Sequence, residues 1–192
     1  GLSLLDISTG EFLIAEGDIE YTAKLLDNFS PNEVLITKEN KKHFVKSYSD
    51  SFNLFFLDEW IFNLDYANDL LKKQFETFSL KGFGIDDLNN GIISSSAIMH
   101  YLNETQHERL NHITTIKRIP KEGHVWLDRF TIRNLELFRP NSVEGKCLID
   151  VIDQTLSPMG GRLLKRWVAL PSCDKEVIIS RHNIVEFLIS DE

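Results

Sequence analysis

Residues 131–171 read TIRNLELFRPNSVEGKCLIDVIDQTLSPMGGRLLKRWVALP, and this block decides how the second part of the chain folds. Asp128, just ahead of it, suits the N-cap of a helix through Phe130, Asn134, Leu135 and Phe138. After a break rich in Asn, Ser and Gly, Leu148, Ile149 and Ile152 continue an apolar stripe at helical spacing. Ser157-Pro158 restarts the chain: the serine caps, and proline takes the first helical position, where its missing N–H costs nothing. Met159, Leu163, Leu164, Trp167 and Val168 share one face, and Pro171 stops the helix. Gly160 and Gly161 sit in its first turn, each costing about 1 kcal/mol relative to alanine. They predict a close approach by another backbone.

Working outward, the first part has a different rhythm. GLSLLDI and EFLIAEG flank Ser8-Thr9-Gly10 as strand, turn and strand, with Gly10 able to supply a positive φ. Asp18 caps a helix whose Ala23, Leu25, Leu26 and Phe29 face inward, and Pro31 ends it. Residues 33–37 and 52–57 read as short buried strands on either side of a lysine-rich helix. Asp65 to Phe78 reads as a helix with Leu70, Leu71, Phe75 and Phe78 on one face. A longer helix starts at Asn90 or Gly91 and ends near Gln106. A hairpin followed by alternating helices and strands is a layered α/β domain. The expected division is an α/β domain over 1–107, an irregular linker over 108–123 containing Pro120, and helices over 124–192.

Charge supports that division. Residues 1–107 hold 8 Lys, no Arg and 17 Asp+Glu, a net of −9, whereas 108–192 hold 13 Lys+Arg against 12 Asp+Glu. Every arginine follows residue 107, starting with Arg109. The acidic part lacks the cationic face that phosphate neutralisation needs. Cys147 and Cys173 have neither disulfide-framework nor zinc spacing, and no apolar run is long enough to cross a bilayer. The first residues, lacking a basic n-region, do not read as a signal peptide. Opening directly on strand-like sequence, the chain reads as a piece of a longer cytoplasmic protein.

Two motifs carry a resemblance to a known family. Arg133-Asn134-Leu135-Glu136-Leu137, Leu148 to Thr155 (including Asp153), Pro158-Met159-Gly160 and Arg162 to Trp167 resemble the opening of the core (lever) domain of the MutS mismatch-repair proteins. Pro171 and then Ile179, Arg181 and Val185 continue that pattern. Leu5-Asp6-Ile7-Ser8-Thr9-Gly10-Glu11-Phe12 resembles the first hairpin of the same family's connector domain. The resemblance implies a ribonuclease-H-like, three-layer α/β connector (domain II) followed by an incomplete, all-α start of the lever (domain III). It implies a parent protein that works as a dimer, grips mismatched DNA, hydrolyses ATP with Mg²⁺ in other domains, and signals to MutL. This stretch would then hold no catalytic, cofactor-binding or metal site of its own, and no membrane would be involved.

Other chemistry is weaker. A ribonuclease-H-like nuclease needs a metal-binding Asp on its first strand, where Asp6 stands, and further carboxylates for two divalent ions. The next strand ends in Val34-Leu35-Ile36-Thr37 without an acid, and Asp58 and Glu59 follow the third, so Asp6 reads as a turn residue bonding Ser8 and Thr9. A MutS paralogue serving recombination is a second alternative. Asp86 to Gly91 fails as a calcium loop because Leu88 takes the third position. Gly160-Gly161 with Lys165 lacks GxxxxGK[ST] spacing. His43, His100, His107, His112, His124 and His182 show no ligand spacing, and Trp60, Trp126 and Trp167 read as packing residues. Arg162, Lys165 and Arg166 read as a solvated helix face, and Arg162 or Arg181 is expected to bond Asp150, Asp153 or Glu136.

Overall fold

The structure is a computed structural model that describes residues 1–29, 31–48, 52–105, 110–119, 123–125, 127, 129–142 and 144–190. The expectations at Gln106, His107, Arg109, Pro120, Trp126 and Asp128 lie outside the described residues. The chain divides into unit 1, Gly1–Leu26 with Ser30–Ile119, and unit 2, Asp27–Phe29 with Pro120–Glu192.

Unit 1 is mixed α/β. Strands β1 (Leu2–Asp6) and β2 (Glu11–Ala15) form an antiparallel hairpin with Leu2 opposite Ala15 and Asp6 opposite Glu11. The two-residue strand β3 (Lys117–Arg118) adds in parallel to the other edge of β2. That sandwiched position explains why β2 is a continuous apolar run, Phe12 to Ala15, buried throughout. A separate parallel pair, Val34–Thr37 and Leu54–Leu57, is joined through a helix over Lys41–Ser47, since parallel neighbours need a crossover rather than a tight turn. The second of these strands is only half-buried, with Phe55 exposed, not the buried strand its composition suggested.

Two longer helices, and α1 as far as Leu26, complete the unit. Helix α1 (Ile19–Phe29) starts where Asp18 Oδ1 accepts the Tyr21 N–H at 2.8 Å. Helix α2 (Leu64–Gln74) is capped by Asn63, whose side chain accepts from the N–H groups of Asp65 and Tyr66. It ends four residues earlier than its apolar periodicity predicts. Glu76 turns left-handed (φ 50°), and the N–H groups of Thr77 and Glu76 close back onto the carbonyls of Lys72 and Lys73 in a Schellman arrangement. Phe78 therefore leaves the helix and is fully exposed, a correction to its expected inward role.

Helix α3 (Asn89–Glu104) buries Ile92, Met99 and Leu102 in a core shared with Phe12, Ile14, Leu71 and Ile85. Leu110, Ile113 and Ile116, read from the sequence as linker, also belong to this core. Gln74 Nε2 donates to the carbonyls of Leu110 and Ile113, each at 3.1 Å, and holds that stretch in place.

Among its described residues, unit 2 is helical apart from one bridge between His124 and Ser172. Its helices are α4 (Arg129–Asn134), α5 (Leu148–Ile152), α6 (Pro158–Ala169) and α7 (Lys175–Ser190). Buried Leu137, Cys147, Ile149 and Ala169 are its core. Helix α7 buries no residue at all, leaving Ile184, Phe187 (64% exposed), Leu188 and Ile189 in solvent. Phe130, Leu135 and Leu163 are exposed as well.

Candidate functional sites

The hairpin turn of unit 1 is built by its own side chains. Asp6 Oδ1 accepts the Ser8 N–H at 3.0 Å and the Ser8 hydroxyl at 2.7 Å. Thr9 Oγ1 accepts the Glu11 N–H at 3.3 Å, and the Gly10 N–H returns to the Asp6 carbonyl at 2.9 Å. Gly10 has φ 72°, and a Cβ there would lie 2.8 Å from the carbonyl oxygen of His112. His112 Nε2 lies 2.7 Å from the Ile7 carbonyl, so its N–H donates to the turn. The Asp6 carboxylate is thus engaged as an Asx-type turn. Among the described residues no group of three or more His, Cys, Asp or Glu is placed to hold a metal ion.

In unit 2 the family-pattern residues converge on the joints between short helices. Helix α4 stops at Asn134 because Glu136 adopts φ 48°; the N–H of Leu137 bonds the Ile132 carbonyl and that of Glu136 bonds the Arg133 carbonyl. The helix expected to reach Phe138 is shortened for this reason. Glu136 Oε1 accepts the Asn141 N–H at 2.8 Å, and Asn141 Nδ2 donates to the Arg133 carbonyl at 3.2 Å. The Glu136 carbonyl in turn takes the first N–H of α5, from Leu148, at 2.8 Å. One turn of chain therefore ends α4 and starts α5.

Asp150 holds the start of α5, and Asp153 holds the turn that leads from α5 to α6. Asp150 Oδ2 accepts the Cys147 N–H at 3.1 Å, and hydrogen bonds from the Cys147 side chain and backbone hold its carboxyl below the usual aspartate range. Asp153 Oδ1 accepts the Thr155 hydroxyl at 2.6 Å and its N–H at 3.1 Å, and these bonds lower its carboxyl likewise. The charge of Lys165 on α6 adds to both shifts.

Ser157 caps α6 as its sequence predicts, its Oγ accepting the Gly160 N–H at 3.0 Å. The neighbour that the two glycines accommodate is a side-chain turn, not a backbone. A Cβ at Gly160 would stand 3.2 Å from Thr155 Cβ, and one at Gly161 3.2 Å from Thr155 Oγ1 and 3.4 Å from Asp153 Oδ2. With the Ser157 side chain on the Gly160 N–H and the Asp153 carboxylate beside the first turn, this helix start does not fit the phosphates of the ATP that the resemblance gives to the parent.

Pro171 follows the end of α6, and its carbonyl accepts the Val125 N–H at 2.7 Å. Arg181, expected to seek an acid, instead lies over the ring of Trp167, its guanidinium carbon 4.3 Å from the centroid. Asp174, which the sequence reading passed over, caps α7 by accepting from Glu176 N at 2.8 Å. Arg133, Asn134 and Arg162 are exposed residues.

Residues 1–114 match the family model for MutS domain II, and residues 130–192 match that for MutS domain III. The chain is similar to the DNA mismatch repair protein MutS of Christiangramia forsetii, 55% identical over 191 residues that cover 100% of this chain and 22% of the relative. The corresponding protein of Flavobacterium psychrophilum is 54% identical over 187 residues, 97% of this chain and 22% of the relative. That of Cytophaga hutchinsonii is 51% identical over 192 residues, 100% and 22%. The chain thus spans about a fifth of the length of the curated relatives it matches. Neither the nuclease nor the recombination reading gains support from these matches. With the hairpin motif inside the first matched range and the helix-joint motifs inside the second, the chain belongs to the MutS family.

Proposed function

We propose that this chain is the connector and first lever segment of a cytoplasmic mismatch-repair ATPase. It relays conformational strain between the parts of the parent that grip mismatched DNA and those that hydrolyse ATP with Mg²⁺, and it performs no catalysis itself. The observation that carries this reading is the succession of the two matches, domain II then domain III, in one chain about a fifth as long as its relatives. The hairpin-first α/β order supports a ribonuclease-H-like connector. The short polar bonds at Glu136, Asp150 and Asp153 suit a lever, since they fix the ends of its short helices, and the Glu136 carbonyl ties the end of α4 to the Leu148 N–H of α5.

In this reading the connector offers a surface to MutL, while the exposed apolar side chains of α7 serve contacts with other domains or a second subunit. Asp6, Ser8, Thr9 and Gly10 shape the connector hairpin. Arg133, Asn134, Glu136, Asp153, Thr155, Gly160, Arg162, Trp167, Pro171 and Arg181 shape the lever.

The test is a replacement. This chain is substituted for its 191-residue counterpart in Christiangramia forsetii MutS, and the hybrid is expressed in a host lacking its own MutS. Restored suppression of spontaneous mutation is the expected result. A hybrid that is folded and hydrolyses ATP but suppresses no mutation contradicts the proposal.

A further inference from the structure

Unit 1 leaves three aromatic side chains exposed among its described residues, Phe55, Trp60 and Phe78. Trp60 lies in a single 3₁₀ turn, Glu59–Ile61, and is 57% exposed. Its indole is nevertheless held in one orientation. Tyr66 stands edge-on to it with centroids 5.2 Å apart, and His100 does so at 5.4 Å with an interplanar angle of 87°. The Tyr66 hydroxyl and His100 Nδ1 are 2.7 Å apart, so the two supporting rings are bonded to each other across α2 and α3. A large ring immobilised yet open to solvent has lost its rotamer entropy in advance, which is what an interface anchor requires.

The charges beside it along the chain are of one sign. From Phe55 to Leu70 the chain holds Asp58, Glu59, Asp65 and Asp69, with no Lys, Arg or His. Glu104 lies one helical turn beyond His100, on the same side of α3. Its charge reaches Tyr66, where, after burial, it helps push the phenol up. An indole face with carboxylates beside it attracts a cation twice, through the ring quadrupole and through the net field. Unit 2 uses the same chemistry internally, with Arg181 over Trp167.

We propose that Trp60, braced by Tyr66 and His100 and flanked by Asp58, Glu59 and Glu104, is a docking point for an arginine or lysine side chain presented by a partner protein. The proposal goes beyond the relay reading and stands whether or not that reading holds. The acidic surroundings make nucleic acid the wrong partner, because its phosphates face like charge.

The probe is a short peptide with two arginines, compared with the same peptide carrying citrulline, a neutral isostere of arginine. Each is titrated into the isotope-labelled 192-residue chain while the indole and backbone N–H resonances are followed. The arginine peptide is expected to shift the Trp60 resonance saturably, and the citrulline peptide to bind about two- to five-fold more weakly or not at all. Trp60→Ala is expected to remove the saturable response, and Asp58→Asn with Glu59→Gln to weaken it several-fold while the spectrum stays folded. Equal binding of both peptides, a response confined to Trp126 or Trp167, or full binding by Trp60→Ala overturns the proposal.

Discussion

The guanidinium of Arg181 lies over the ring of Trp167, 4.3 Å from its centroid, and so joins α7 to α6 where α7 buries no side chain of its own. Such a contact is worth roughly 1 kcal/mol at a partly exposed site, a large share of what holds so bare a helix. Arg181→Ala is expected to speed amide hydrogen exchange in α7 about five-fold while leaving unit 1 unchanged. Arg181→Lys is expected to retain part of the protection. Unaltered exchange in Arg181→Ala contradicts this role.

Glu76 holds a left-handed conformation at an exposed helix end, where glycine is the favoured residue. Glu76→Gly is expected to stabilise unit 1 by about 1 kcal/mol in a urea titration, whereas Glu76→Ala, which keeps the strain, is not. A destabilised Glu76→Gly refutes the strain argument.

Gly10 combines a positive φ with the His112 carbonyl 2.8 Å from where a Cβ would stand. Gly10→Ala is therefore expected to cost about 2 kcal/mol or more, because the hairpin turn and the 110–119 stretch cannot both keep their places. A loss below about 0.5 kcal/mol, the range of neutral surface changes, argues against this packing.

Acid should loosen the start of α5 and the α5–α6 joint. The carboxyls of Asp150 and Asp153 are held below the aspartate range by hydrogen bonds from Cys147 and Thr155 respectively. A group whose folded pKa is depressed gives stability that is complete above its unfolded value and is lost as pH falls through the folded one. The Thr155 amide is thus expected to stay protected at about pH 5 and to lose protection below about pH 4. Asp153→Asn is expected to flatten that profile. An identical acid profile in Asp153→Asn contradicts the assignment.

Much of this was legible in the chain. Ser157-Pro158 capped α6 as written, Asp18 capped α1, and Asp6 proved a turn residue, because each acts on backbone two or three residues away. What escaped was set by distance or by conformation. The helix ends at Glu76 and Glu136 are left-handed at a residue type that does not announce it. Leu110, Ile113 and Ile116 joined the core through Gln74, 36 and 39 residues upstream of the carbonyls it binds. Helix α3 takes its cap from Glu16, which accepts the Asn90 and Gly91 N–H groups across more than 70 residues. Trp60 read as core because an aromatic residue beside Ile and Phe usually is, yet its turn faces it outward.

The exposed side chains of unit 2, Phe130, Leu135, Ile184, Phe187 and Leu188 among them, predict self-association. Light scattering on the whole chain is expected to show a mass rising with concentration, and a chain shortened to residues 1–119 to stay monomeric. If both are monomeric and α7 is as protected from exchange as unit 1, the apolar surface needs another explanation.

The relay itself is tested most directly by decoupling. In the Christiangramia forsetii hybrid, a flexible Gly/Ser insertion is placed between the two matched ranges, after residue 119 and before residue 130, and ATP turnover is measured with and without mismatched DNA. The account predicts that basal turnover persists while the response to a mismatch is lost. A mismatch response of undiminished size in the insertion hybrid contradicts it.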